Sequence, residues 1–256
     1  MAHEDTLQLE SVDGVATLTL LRPMCLNIAG KHAIAETLTA LTNDDQLRVL
    51  IVAASHPAAF LVDVAELADM SQADALAFSQ SGHQVADALA ALPFPVIAAV
   101  SGQALGGGCE FVMSCDLAYA AEGARLGQIE ALGGVIPGFG GTWRLPERVG
   151  PLRAREMIFT GAVLDASSAR AAGLVLDVVA DAELMPHCYE VARRIAATSR
   201  GSVAAAKRIL TANAGITRAE ANALEQSAFV SLFETADQRT RMRAFVEQAS
   251  TATESE

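Results

Sequence analysis

Apolar positions along the first half of the chain alternate between two periods. "TLQLE" (6–10) and "VATLTLL" (15–21) place apolar residues at every second position, the signature of half-buried strands. "LRVLIVAA" (47–54) and "PVIAAV" (95–100) are continuous apolar runs rich in β-branched residues, as expected of strands covered on both faces. "DLAYAAE" (116–122) is a further strand candidate. Between them, "GKHAIAETLTALTND" spaces Ile34, Leu38 and Leu41 as one helical face. "SQADALAFSQSGHQVADALAAL" predicts a long helix capped at Ser71 and ending before Pro93.

From about Pro151 the pattern turns mainly helical, with one short strand expected in "GLVLDVV" (173–179). "SVAAAKRILTANAG", "TRAEANALEQSAFVSLFE" and "ADQRTRMRAFVEQA" predict two or three terminal helices, and the polar tail "STATESE" is expected to fray. Strands alternating with helices predict an α/β class. The expected division is a core over 1–198 and a helical oligomerisation region over 199–256. Such helices have little core of their own, and packing against another subunit is their natural use.

Composition narrows the picture. The chain has 256 residues, 52% of them hydrophobic, enough for a large core. No window approaches the ~18 consecutive apolar residues of a membrane span. The opening "MAHEDTLQLE" carries acids where a secretory leader has bases, so the expectation is a cytoplasmic protein. A formal net charge of −12, with no Lys/Arg cluster to offset it, argues against nucleic acid or an anionic membrane as partner. Cys25, Cys109, Cys115 and Cys188 have no metal-ligand spacing, and buried, reduced thiols are expected. His3, His32, His56, His83 and His187 are scattered, so no metal site is expected.

The candidate chemistry lies in "SGQALGGGCEFVMSCDLAYA" (101–120). Gly106, Gly107 and Gly108 follow a strand and open a helix, where the backbone can approach a ligand and first-turn N–H groups are free. The spacing is neither the dinucleotide fingerprint nor a phosphate loop, and a tight structural turn is the alternative. Glu110 stands among apolar neighbours, where a lone carboxylate must find partners or shift its pKa. A capping or ion-pair role is its bland alternative. Glu130, in "QIEALGGVIPGFGG", is a second acid in apolar company beside glycine turns. Together they form a candidate general acid/base pair. There is no G-x-S-x-G nucleophile elbow. Trp143 and Phe139 line a pocket or pack in a core.

The block from "PVIAAVSGQALGGGCEF" to "WRLPERVG" resembles the signature of the crotonase (enoyl-CoA hydratase/isomerase) superfamily. "LLRPMCLNIAG", "TGAVLDASSARAAGLVLDVV" and "MRAFVEQ" are similar to further elements of that family, in the same order. The resemblance implies a ββα spiral with a C-terminal helical trimerisation segment, assembled as a homotrimer or a dimer of trimers. It implies a lyase acting on an acyl-CoA thioester, with coenzyme A as part of the substrate and no other cofactor. Carried over residue by residue, Glu110 and Glu130 match the catalytic pair of enoyl-CoA hydratases. Gly107 matches one oxyanion-hole amide and Gly138 a glycine that holds the reacting water. Met24, Leu26, Asp63, Val64 and Phe139 fall at substrate- or CoA-binding positions.

The second oxyanion amide falls at Val62, in "FLVDVAEL", where the family's segment is two residues longer and carries a glycine. Met24 stands where a lysine near the CoA phosphates is common, and Lys31 and Arg22 are the nearby cations that would compensate. The pair of acids favours hydration or dehydration. Isomerisation, decarboxylation or non-catalytic acyl-CoA binding remain the alternatives on sequence alone.

Overall fold

The computed structural model describes residues 6–212 and 215–253. Two compact units divide at Ile195/Ala196 and are described in turn.

The first unit opens with a hairpin. Strands β1 (Leu7–Val12) and β2 (Val15–Leu20) pair antiparallel across Asp13-Gly14, both with φ > 0, as a two-residue turn of matching twist requires. Helix α1 (Ile28–Thr42), capped by the Asn27 side chain on the Gly30 amide, crosses to β3 (Val49–Ala54). Short α2 (Val64–Ala68) and long α3 (Gln72–Ala91) lead to β4 (Val96–Val100). Ser71 and Asp74 form the capping box that starts α3. Then follow β5 (Gln103–Leu105), α4 (Gly107–Met113), β6 (Leu117–Ala121) and β7 (Arg125–Gly127). A 3₁₀ turn begins at Glu130 and runs to Gly133. Helices α5 (Gly141–Val149) and α6 (Pro151–Thr160), strand β8 (Val163–Asp165), α7 (Ala166–Ala172), β9 (Asp177–Val179) and α8 (Leu184–Ala196) complete the order.

The main sheet has the order β1-β2-β3-β4-β6-β9, parallel from β2 onward. Its continuous apolar runs are buried along their length, because helices cross over it between successive parallel strands. A second sheet, β5-β7-β8, consists of three-residue strands. Sequence periodicity misses all of them, since three residues are too few to display a period. All four cysteines are free and buried, as expected. Burial pushes the Cys109 and Cys188 thiols up to about 12 and raises that of Cys25.

The second unit contains α9 (Arg200–Ala212), α10 (Arg218–Leu232) and α11 (Ala236–Thr253), the larger of the two numbers of helices expected. Thr217 and Glu220 form the capping box of α10. The tail expected to fray is helical as far as Thr253, whereas residues 254–256, like His3, Asn213 and Ala214, lie outside the described residues. Phe229, Val230, Phe233, Phe245 and Val246 are exposed. Among the described residues no helix is long and apolar enough to cross a membrane.

Candidate active site

The site is built where the two sheets of the first unit hand over to α4. Each glycine of the triplet has its own reason. Gly106 has φ +56° and its amide donates to the Gly127 carbonyl at 2.9 Å, turning the chain off the short sheet. A Cβ at Gly107 would stand 2.5 Å from the Phe139 ring and 2.8 Å from Val62 Cγ2. A Cβ at Gly108 would collide with the Phe60 carbonyl. The chain thus needs glycine here for conformation once and for close approach twice.

That close approach brings Val62 against Gly107, the two residues at which the resemblance places the oxyanion amides. Neither amide makes a hydrogen bond among the described residues: Gly107 opens α4, and Val62 lies in coil between Phe60 and the α2 cap. Asp63 caps α2 by accepting from the Ala65 amide at 3.0 Å. The Leu61 carbonyl accepts from Leu26 at 3.2 Å and the Ala58 carbonyl from Met24 at 2.8 Å, which laces this loop to the start of α1.

Glu110, 1% exposed, is partnered by backbone. Its Oε1 accepts from the Phe139 amide at 2.8 Å and the Gly141 amide at 2.5 Å. Burial raises its pKa, while the amides of Gly141, Phe139 and Gly138 and the nearby His83 pull the other way by favouring the ionised form. Among the described residues Glu110 makes no ion pair, and through the Gly141 amide it caps the start of α5. Its partners are amides of the distant glycine loop.

Glu130 sits in a different environment. Both carboxylate oxygens are buried and without a hydrogen-bond partner. Burial, with the neighbouring Glu110 charge adding to it, pushes its carboxyl up to about 7. Its Oε1 stands 3.2 Å from where a Gly106 Cβ would be, so the acid faces the glycine turn. Two carboxyl groups with different environments, beside two unpartnered amides, make an acid–base site with donors for a developing negative charge.

The other substrate positions are less uniform. Val64 is 67% exposed and Met24 38%, and both are open to a ligand. Leu26 is instead fully buried beside Lys31 and Phe139, so it forms wall rather than surface. Lys31 corrects the sequence reading most. It is no phosphate-binding surface cation: its Nζ is buried, donates to the Phe78 carbonyl at 3.1 Å and lies 3.3 Å from the Phe78 ring centroid. Phe139 is core, not rim, at 5.4 Å from Phe78 between ring centroids.

Three residues that hold the site were not singled out from the sequence. Gln128 Nε2 donates to the Gly106 carbonyl at 3.1 Å. Ser79 donates to the Gly138 carbonyl at 2.7 Å. Arg144, buried, donates to the Phe139 carbonyl at 2.5 Å and to Asp87 at 3.0 Å. No local signal sets Arg144 apart, since it is one of three charged residues in "TWRLPERV".

The fold is α/β, and the two carboxyl groups make a candidate acid–base site. The chain belongs to the enoyl-CoA hydratase/isomerase family, whose sequence model matches residues 10–255. It is 38% identical to the crotonyl-CoA hydratase of Syntrophomonas wolfei subsp. wolfei, covering 97% of each chain. It is 36% identical to the short-chain-enoyl-CoA hydratase of Clostridium acetobutylicum, covering 94% of each. The crystal structure of an enoyl-CoA hydratase from Bacillus anthracis superposes with a TM-score of 0.90 at 30% identity, over 95% of this chain and 96% of that one. The crotonase fold implied by the sequence motifs is thereby established.

Proposed function

We propose that the protein is an enoyl-CoA hydratase, adding water reversibly across the double bond of a 2-enoyl-CoA thioester. The observation that carries this reading is the unequal carboxyl pair: Glu110 held by amides, Glu130 buried without a partner. A single acid suffices to shuttle a proton in isomerisation, whereas hydration needs a base for water and an acid for carbon.

In this reading ionised Glu110 takes a proton from water as the water oxygen bonds to Cβ. The double-bond electrons move toward the thioester oxygen, where the Gly107 and Val62 amides stabilise the developing charge. Protonated Glu130 gives its proton to Cα, and the carbonyl re-forms. Glu110 ends protonated and Glu130 ionised, so proton exchange with solvent resets the pair. Gly138, whose amide already bears on Glu110, borders the attacking water. Met24, Asp63 and Val64 bound the CoA side, and Leu26 and Phe139 the acyl side. Coenzyme A enters as part of the substrate, and the steps call for no metal and no redox group.

The test is incubation with crotonyl-CoA in ¹⁸O-labelled water. A 3-hydroxybutyryl-CoA carrying the label on C3 is expected. A shifted double bond or unchanged thioester overturns the reading.

The exposed apolar positions on α10 and α11 support assembly as a homotrimer or a dimer of trimers. Light scattering after size exclusion decides between them, and a monomer refutes both. A cytoplasmic location agrees with the reduced thiols.

A further inference from the structure

Phe139 joins the reacting groups to the interior. Its amide donates to Glu110 at 2.8 Å, and its ring fills the place a Gly107 side chain would occupy. On its other side a Cβ at Gly82, in the middle of α3, would collide with the same ring. Glycine inside a helix costs stability, so its presence at a position facing this ring, one turn from Phe78, marks a fitted contact.

Lys31 secures the far edge. Its ammonium lies 3.3 Å from the Phe78 centroid and 4.7 Å from that of Phe139, anchored to the Phe78 carbonyl. A buried cation is stable here because two ring faces and a carbonyl replace part of its water. Burial nevertheless pulls its pKa down to about 8. Behind the ring a small unfilled space is bounded by Leu26, Lys31, Val85, Ala86 and Phe111. With the thioester oxygen at Gly107 and Cβ at Glu110, Phe139 touches the landmarks at both ends of the reacting unit. An acyl tail continuing inward from Cβ meets the ring before it reaches that space.

We propose that Phe139, seated between Gly82 and Gly107 and clamped by Lys31, is the stop that restricts the site to short 2-enoyl groups. The inference rests on the hydratase reading for its substrate class. Phe139 determines specificity by contact, and Lys31 is a positioning residue that acts through it.

The experiment compares kcat/KM for crotonyl-CoA and 2-octenoyl-CoA, and in parallel the affinities of the unreactive butyryl- and octanoyl-CoA by calorimetry. The wild-type protein is expected to prefer the four-carbon group by about 100-fold in both assays. Phe139→Ala should shrink that preference by about 10-fold or more, through a gain on the long thioester. Phe139→Leu, which keeps more of the core filled, should shrink it less. Lys31→Met retains the stem without the charge and should also shift the chain-length ratio, which a general loss of stability would not. Equal wild-type affinity for the two saturated thioesters overturns the stop, as do folded Phe139 variants with unaltered ratios. If binding shows the preference while no 2-enoyl-CoA is hydrated, the stop stands and the hydratase reading fails.

Discussion

Phe139 hands its amide hydrogen to Glu110 at 2.8 Å while its ring lies against Gly107. One residue therefore helps hold one carboxyl group and forms the wall beside the neighbouring amide.

Glu110→Gln and Glu130→Gln should each lower kcat for crotonyl-CoA by about 100- to 10,000-fold, the range for a lost general base or acid. Steady-state hydration rates, with circular dichroism to confirm folding, provide the check. Full activity in both variants would remove the pair from the mechanism.

Glu130 also makes stability depend on pH. Its carboxyl is near 7 when folded and 4.5 as the ordinary value, so the folded state holds a proton that the unfolded chain has lost. Stability is therefore lost as pH rises from 4.5 toward 7, and the loss is complete above 7. Glu130→Gln escapes this cost, and should gain about 2 kcal/mol over wild type between pH 5 and pH 8, after discounting for partial screening. Urea titrations at both pH values measure it. A gap independent of pH contradicts the assigned environment.

Gly108→Ala forces a methyl into the Phe60 carbonyl, a backbone atom that cannot swing aside. A loss of about 2–4 kcal/mol is expected, with reduced activity because α4 carries both Gly107 and Glu110. Thermal melting against a Gly133→Ala control, a position where a Cβ meets nothing within 4 Å, isolates the effect.

Arg144→Met leaves the Phe139 carbonyl without its charged donor in a buried setting. The expected cost is about 1–3 kcal/mol. Activity should fall mainly in kcat, since Phe139 and Gly141 hold Glu110 on the same loop. A rise in KM alone would instead assign Arg144 to substrate binding.

Long apolar runs and capping residues were legible because each carries its signal within a few neighbours: Ser71 announces α3, and Val49–Ala54 announce a covered strand. The short sheet was not, since β5, β7 and β8 hold together through pairing that no three-residue pattern encodes. In the site, the glycine triplet and the two acids stood out because such residues are costly in apolar surroundings. Phe139 and Lys31 were singled out as well, but their contact with each other was not legible. Their meaning depends on Phe78 and Gly82, which join them only after α1, α3 and the glycine loop pack together. Gly82 alone, an interruption in a helical pattern, was the local hint of close approach.

The four buried cysteines have a practical consequence. Cys109 and Cys188 with thiols near 12, Cys25 raised and Cys115 enclosed offer little thiolate to an alkylating reagent in the folded protein. A single cysteine introduced at an exposed position such as Val64 or Leu210 therefore provides one reactive handle against a silent background. A fluorophore placed there can report thioester binding, or the joining of subunits, without first removing any native thiol.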